Sequence, residues 1–184
     1  MLLLLSLLPV LTACAQPKTL LSRRAFAQHL AAYDSATEAL RLWCERHDMA
    51  RPARITAALV QEADMPPPAD LHAMLGLPPG APTGYRHVRL SCGDKVLSQA
   101  HNFYAPTRLA PDMNRQLAQT DIPFGKVVAP LQFRRERLST ARTQDPACPK
   151  DTIMAHKALL RLPDGQGIAL VIECYTPANL KQEP

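Results

Sequence analysis

Two charged residues stand where a half-buried strand would carry apolar ones, and their types suit the binding of a small carboxylate. Arg86 alternates with Val88 and Leu90 across His87 and Arg89, and Glu173 stands between Ile172 and Cys174. A guanidinium grips a carboxylate through two parallel N–H bonds, and a buried acid hydrogen-bonds a phenol. Strand side chains alternate between faces, so Arg86 shares a side with Val88 and Leu90. A common site then requires Glu173 on that side, with Ile172 and Cys174 pointing away. The same two residues would serve equally as a pair across the sheet or as solvated strand charges. Lesser candidates are the backbone N–H of Phe124 in the turn Pro123-Phe124-Gly125, which can face an anion, and the side chains of His101, Asn102, Lys126 and His156. Each of these is more economically read as structural. The sequence holds no nucleophile elbow, glycine-rich phosphate loop, HExxH helix or Cys/His ligand spacing, so it points to no hydrolase, nucleotide enzyme or metal site.

The elements that must position these residues follow from periodicity and turn chemistry. Residues 85–90 and 95–104 form strands joined at Gly93-Asp94, and residues 153–162 and 168–176 flank Asp164-Gly165, a strong hairpin signal. Leu109, Met113 and Leu117 recur every four residues, one face of a helix with Pro111 in its first turn. Ser22 caps a helix through about Tyr33 that aligns Phe26, Leu30 and Tyr33. Ser35-Ala36-Thr37-Glu38 fits a capping box opening a second helix with Leu40, Trp43, Cys44 and His47 on its stripe. Trp43 is a core anchor and His47 a surface residue at a helix end. Residues 54–62 read as a strand or a helical turn. Residues 64–83, rich in proline, form a connection or a lid with one or two helical turns at 69–75. Residues 132–139 suggest a strand and 140–150 a loop. The sum is one α+β domain, residues 22–180, with about six largely antiparallel strands and helices packed on one face.

The order strand, hairpin, strand, helix, then Thr120-Asp121-Ile122-Pro123-Phe124-Gly125 resembles that of the bacterial chorismate pyruvate-lyases. Asp34-Ser35-Ala36-Thr37 is similar to the D-S-x-T that opens a helix in that family, and Ile172-Glu173-Cys174-Tyr175 resembles its final strand. The resemblance runs from about Asp34 to Leu180 and favours a strand at 54–62. It implies a single chorismate lyase-like domain and a ligand pocket in which Arg86 pairs with a ligand carboxylate and Glu173 faces the ring hydroxyl. It also implies cofactor-free conversion of chorismate to 4-hydroxybenzoate and pyruvate, with Arg86 and Glu173 as the catalytic residues. The alternatives are an exported binding protein that keeps the pocket without turnover, and a structural envelope protein.

With 184 residues the chain is long enough for one sizeable core. Its net charge of +5 comes from scattered Lys and Arg with few aromatics among them, which excludes a dedicated nucleic-acid surface. The cluster Arg134-Arg135-Glu136-Arg137 lies in a strand-like stretch and contains an acid. Residues 1–13 form a short apolar run ending in Leu11-Thr12-Ala13 before Cys14, similar to a bacterial lipoprotein signal. Lipid on Cys14, followed by a tether over residues 14–21, would hold a monomeric domain on a membrane and facing the periplasm. A leucine-rich terminal helix on a cytoplasmic protein is the alternative. Setting Cys14 aside leaves Cys44, Cys92, Cys148 and Cys174, which allow two disulfides in any of three pairings or four buried thiols.

Overall fold

The computed structural model describes residues 22–61, 65–141 and 145–180. Cys14 and the apolar run before it lie outside the described residues. Eleven α-helices and strands follow one another: α1 (Arg23–Ala31), α2 (Ala36–Arg46), β1 (Ile55–Leu59), α3 (Leu71–Leu75), β2 (Gly84–Cys92), β3 (Lys95–Tyr104), α4 (Pro111–Gln119), α5 (Phe124–Val127), β4 (Arg134–Ala141), β5 (Met154–Arg161) and β6 (Gly167–Tyr175). The strands form one sheet in the order β1-β2-β3-β6-β5-β4, every neighbouring pair antiparallel. This is the α+β architecture expected from the sequence, and residues 54–62 contribute the strand β1.

Sequence chemistry sets the helix ends. Ser22 Oγ accepts from Ala25 N at 3.1 Å, and Ser35 Oγ from Glu38 N at 3.3 Å. Only half of the expected capping box forms, because the Glu38 carboxylate turns to Arg41 at 2.7 and 2.9 Å. Pro111 begins α4 where a missing N–H costs nothing.

The helices α1, α2, α4 and α5 cover one face. Phe26, Leu40 and Trp43 pack there on Val88, Leu90, Ala100 and Tyr175, and Leu117, Phe124 and Val127 pack on Ala158, Leu160 and Val171. Trp43 is the expected anchor, its indole N–H donating to Asn179 O at 3.1 Å. His47 is half buried and packs on Trp43 with ring centroids 4.2 Å apart and planes tilted by 59°, so it is no simple surface residue.

The proline-rich connection lies on the reverse face. Leu71 and Leu75 of α3 are buried there against Phe103, Leu159, Leu170 and Ile172. Arg108 fastens this segment by donating to the carbonyls of Leu75, Gly76 and Gly167. A lid over the helix-covered face is therefore not what residues 65–83 provide. With both faces covered, every residue of β6 is buried, which accounts for its unbroken apolar run.

The four cysteines past Cys14 pair as Cys44–Cys92 and Cys148–Cys174. The first ties α2 to the end of β2. The second pins the loop before β5 onto the reverse face of β6.

Candidate functional site

Arg86 and Glu173 share the helix-covered face. The register places Arg86 opposite Asn102, Val88 opposite Ala100, and Ala100 opposite Glu173, while Ile172 and Cys174 point to the reverse face. The two charges nevertheless have different surroundings.

Arg86 is buried, and its two terminal nitrogens donate to backbone carbonyls, Nη1 to Ile122 O at 2.9 Å and Nη2 to Thr120 O at 2.8 Å. Burial lowers its pKa, with Tyr104 and Asp121 acting in the opposite direction. Its fork thus binds the chain, holding the segment that leads into Pro123-Phe124-Gly125. The same segment accepts from β1, Ala57 N donating to Asp121 O at 2.7 Å. Thr120 completes it, its hydroxyl donating to Gln116 O at 2.7 Å and accepting from Ile122 N at 3.3 Å.

The cation that meets Glu173 is Arg135. From β4 its guanidinium donates to both carboxylate oxygens, Nη1 to Oε1 at 3.1 Å and Nη2 to Oε2, and the two side chains are 6% and 7% exposed. Tyr175 Oη donates to Glu173 Oε2 at 2.8 Å. Burial works against the charge of Arg135, but Glu173 outweighs it and leaves the pKa raised. The Tyr175 hydroxyl is pushed well above its ordinary value by burial and by the adjacent carboxylate, so it stays a donor. A carboxylate offers about four acceptor sites; the three bonds leave Glu173 one.

His156 lies directly opposite Glu173 on β5 and meets Tyr175 edge-on at 5.3 Å. Burial takes its pKa down to about 4, reinforced by Arg135 and Arg137 and opposed by Glu173. The imidazole is neutral near pH 7.

Arg135 and Glu173 wall a cavity of about 30 Å³ between the sheet and the helices, lined also by Asn102, Phe124, Gly125 and the Asp34–Thr37 turn. It has room for a water-sized group and no more. Asp34 braces it, Oδ1 accepting from Arg135 N at 3.0 Å. Outside Gly125 a groove of about 630 Å³ runs between α2, β1 and α5, bordered by Arg41, Arg54 and Lys126.

The sequence candidates therefore separate. Glu173, Asn102 and Phe124 line the cavity, Lys126 the groove, and Arg86 supports the floor of α5 from outside the cavity lining. Phe124 contributes its ring, which packs on Tyr104 at 5.6 Å. His101 sits on the reverse face, bonded to Tyr85 Oη at 2.8 Å and Ala147 O at 3.1 Å. Two members of the constellation, Arg135 and Tyr175, were not singled out from the sequence. Period two offered a signal for both, since Tyr175 is two residues from Glu173 and Arg135 two from the buried Phe133.

Comparison with known proteins adds a relative and a fold. No protein-family model matches the chain. It is 40% identical to the uncharacterised protein y4mC of Sinorhizobium fredii (strain NBRC 101917 / NGR234), over 77% of this chain and 68% of that protein. Among solved structures it is similar to the effector domain of PhnF from Mycobacterium smegmatis, with a TM-score of 0.57, 16% identity and coverage of 78% of this chain and 88% of that one. It is also similar to the ligand-binding domain of a GntR-family transcriptional regulator from Bordetella bronchiseptica, with a TM-score of 0.51, 11% identity and coverage of 71% and 88%. The chain has the chorismate lyase-like fold of these effector domains.

Proposed function

From the premise that the chain belongs to the family of the Sinorhizobium fredii protein y4mC, we propose that it is a small-molecule-binding domain for a compact aromatic or related carboxylate, held outside the cytoplasm by lipid on Cys14. One observation carries the binding reading: the buried Arg135–Glu173 pair in the cavity wall, with Tyr175 donating to Glu173 and one carboxylate acceptor site left over. Burying such a pair costs several kcal/mol per ion before its attraction repays it, so its position at a cavity suits specificity better than stability. The binding of small ligands by domains of this fold supports the same reading. The experiment is calorimetry of the purified full chain in detergent with 4-hydroxybenzoate and with chorismate. Saturable binding is the expected result, and heat changes no larger than dilution for both compounds would remove the proposal.

Turnover of chorismate to 4-hydroxybenzoate is the second reading, favoured by an acid at the cavity wall. Against it, Glu173 is tied to Arg135 and so placed as an acceptor, where protonation of a leaving group needs a donor. Incubation with chorismate at high protein concentration, watched for 4-hydroxybenzoate absorbance, separates the two.

The anchoring reading divides the chain into a signal at residues 1–13, a tether at 14–21 and the domain at 22–180, a monomer at the membrane surface. It is supported by the pairing of Cys44, Cys92, Cys148 and Cys174, which suits an oxidising compartment and leaves Cys14 for lipid. The full chain should fractionate with membranes and Cys14→Ser should release it. Unchanged membrane association would refute the anchor.

A further inference from the structure

The inner cavity and the outer groove meet at one partition, formed by Ser35, Thr37 and Gly125, which line both. Gly125 carries no side chain to thicken it. A Cβ there would lie 3.0 Å from Ser35 Oγ and 3.1 Å from Thr37 Oγ1, tighter than ordinary contact. The absence of that methyl keeps the partition between the two spaces thin.

The two spaces differ in size and charge. The inner one, about 30 Å³, takes a hydroxyl and not a ring, and its one cation, Arg135, is already paired with Glu173, beside a further acid at Asp34. The outer one, about 630 Å³, falls within the range of small-molecule sites and is apolar at Ala53, Ile55 and Ala129. Of its cations, Arg41 is paired with Glu38 at 2.7 Å and Glu45 at 2.9 Å. Arg54 and Lys126 are exposed and have no ion-pair partner among the described residues.

We infer that the ligand lies with its ring in the outer groove, its carboxylate against Arg54 and Lys126, and a hydroxyl passed through the gap at Gly125 to Asn102 and Glu173. This rests on the carboxylate-binding function proposed above and fixes the ligand's direction and class: a planar acid with a hydrogen-bonding group at the end opposite its carboxylate. Inside, Glu173 supplies the remaining acceptor site. Outside, the two unpaired cations supply the positive charge that the inner cavity does not offer.

The test compares 4-hydroxybenzoate, 4-hydroxybenzamide and benzoate by calorimetry on the full chain in detergent. For the wild type, loss of the charge in the amide and loss of the hydroxyl in benzoate should each weaken binding at least tenfold. The double variant Arg54→Gln, Lys126→Gln changes only exposed side chains; it should bind the acid and the amide within about threefold of each other. Gly125→Ala should erase the preference for 4-hydroxybenzoate over benzoate, with far-ultraviolet circular dichroism checking its fold. An acid-to-amide ratio unchanged in the double variant overturns the orientation and leaves the binding function standing. Equal wild-type affinity for 4-hydroxybenzoate and benzoate overturns the passage of the hydroxyl. No binding of any probe by the wild type removes this inference and the function on which it rests.

Discussion

Arg135 reaches from the edge strand β4 across β5 to bind both carboxylate oxygens of Glu173 in β6, and the pair is almost wholly buried. Removing one partner of such a pair strands the other charge, at about 3–5 kcal/mol. Arg135→Ala should therefore destabilise the fold by that order. Arg135→Met combined with Glu173→Gln, which removes both charges, should cost clearly less than the sum of the single changes. Urea denaturation of the wild type, the three single variants and the double variant measures this, and simple additivity would show that the two side chains are not coupled.

Arg86 has a different dependence. Its fork holds Thr120 O and Ile122 O and so fixes the approach to α5, which makes Arg86→Ala a change in stability first and in ligand affinity only through Phe124 and Gly125. Hydrogen bonds from a charged donor are worth roughly 1.5–3 kcal/mol each, so the loss of two is expected to cost about 3–6 kcal/mol, with faster amide exchange in α5. Arg86→Lys should not restore it, because an ammonium lacks the planar fork that spans two carbonyls. Amide exchange of α5 unchanged in Arg86→Ala would disprove the clamp.

Much of this was legible in the residues. Period two put Arg86 with Val88 and Leu90, and Glu173 opposite in face to Ile172 and Cys174, leaving the strand register to bring the two charges to one face; Asp164-Gly165 and Gly93-Asp94 marked the hairpins that make the sheet antiparallel. The partner of Glu173 was hidden for a physical reason. Arg135 lies in a run of charges on an edge strand whose other side chains are largely solvated, and such a run reads as surface. The destination of Arg86 was equally hidden, since carbonyls at Thr120 and Ile122 leave no mark in side-chain pattern. Proline content located the connection at 65–83 without saying which face it would cover; that was decided by Leu71 and Leu75.

The two disulfides close loops separated by 48 and 26 residues in sequence. In the chain-entropy account each restricts the unfolded state by roughly 3–4 kcal/mol. The oxidised protein should show no reactive thiol at Cys44, Cys92, Cys148 or Cys174 under denaturing conditions, and reductant should lower its melting temperature by at least several degrees. Labelling of all four without reductant would contradict the pairing. Cys148→Ser with Cys174→Ser should free the loop that presents Ala147 O to His101, and so speed amide exchange there before exchange in β3 changes.

Acid should weaken the fold through histidines whose pKa burial lowers; His29 and His47 are among them, and His101 and His156 are moved furthest. Burial takes His101 and His156 down to about 4, each from an ordinary value near 6.5. His101 faces His87, whose nearness lowers its pKa further, while the Ala147 carbonyl and Asp145 act against the shift; His156 faces Arg135 and Arg137, which lower it, and Glu173, which raises it. Because the folded values lie below the unfolded ones, the unfolded chain binds more protons between them, and stability rises with pH across that interval. The contribution is fully present above about pH 6.5 and is lost as pH falls toward 4, on the order of 2–3 kcal/mol per histidine at most. Ordinary carboxylates stay ionised through most of the upper part of this window, so the decline from pH 6.5 to about 5 belongs to the histidines. Melting temperatures of the wild type and of His101→Gln with His156→Gln, taken from pH 7.5 to 5, should show a falling curve for the first and a flatter one for the second. Parallel curves would mean that these imidazoles do not set the acid limit.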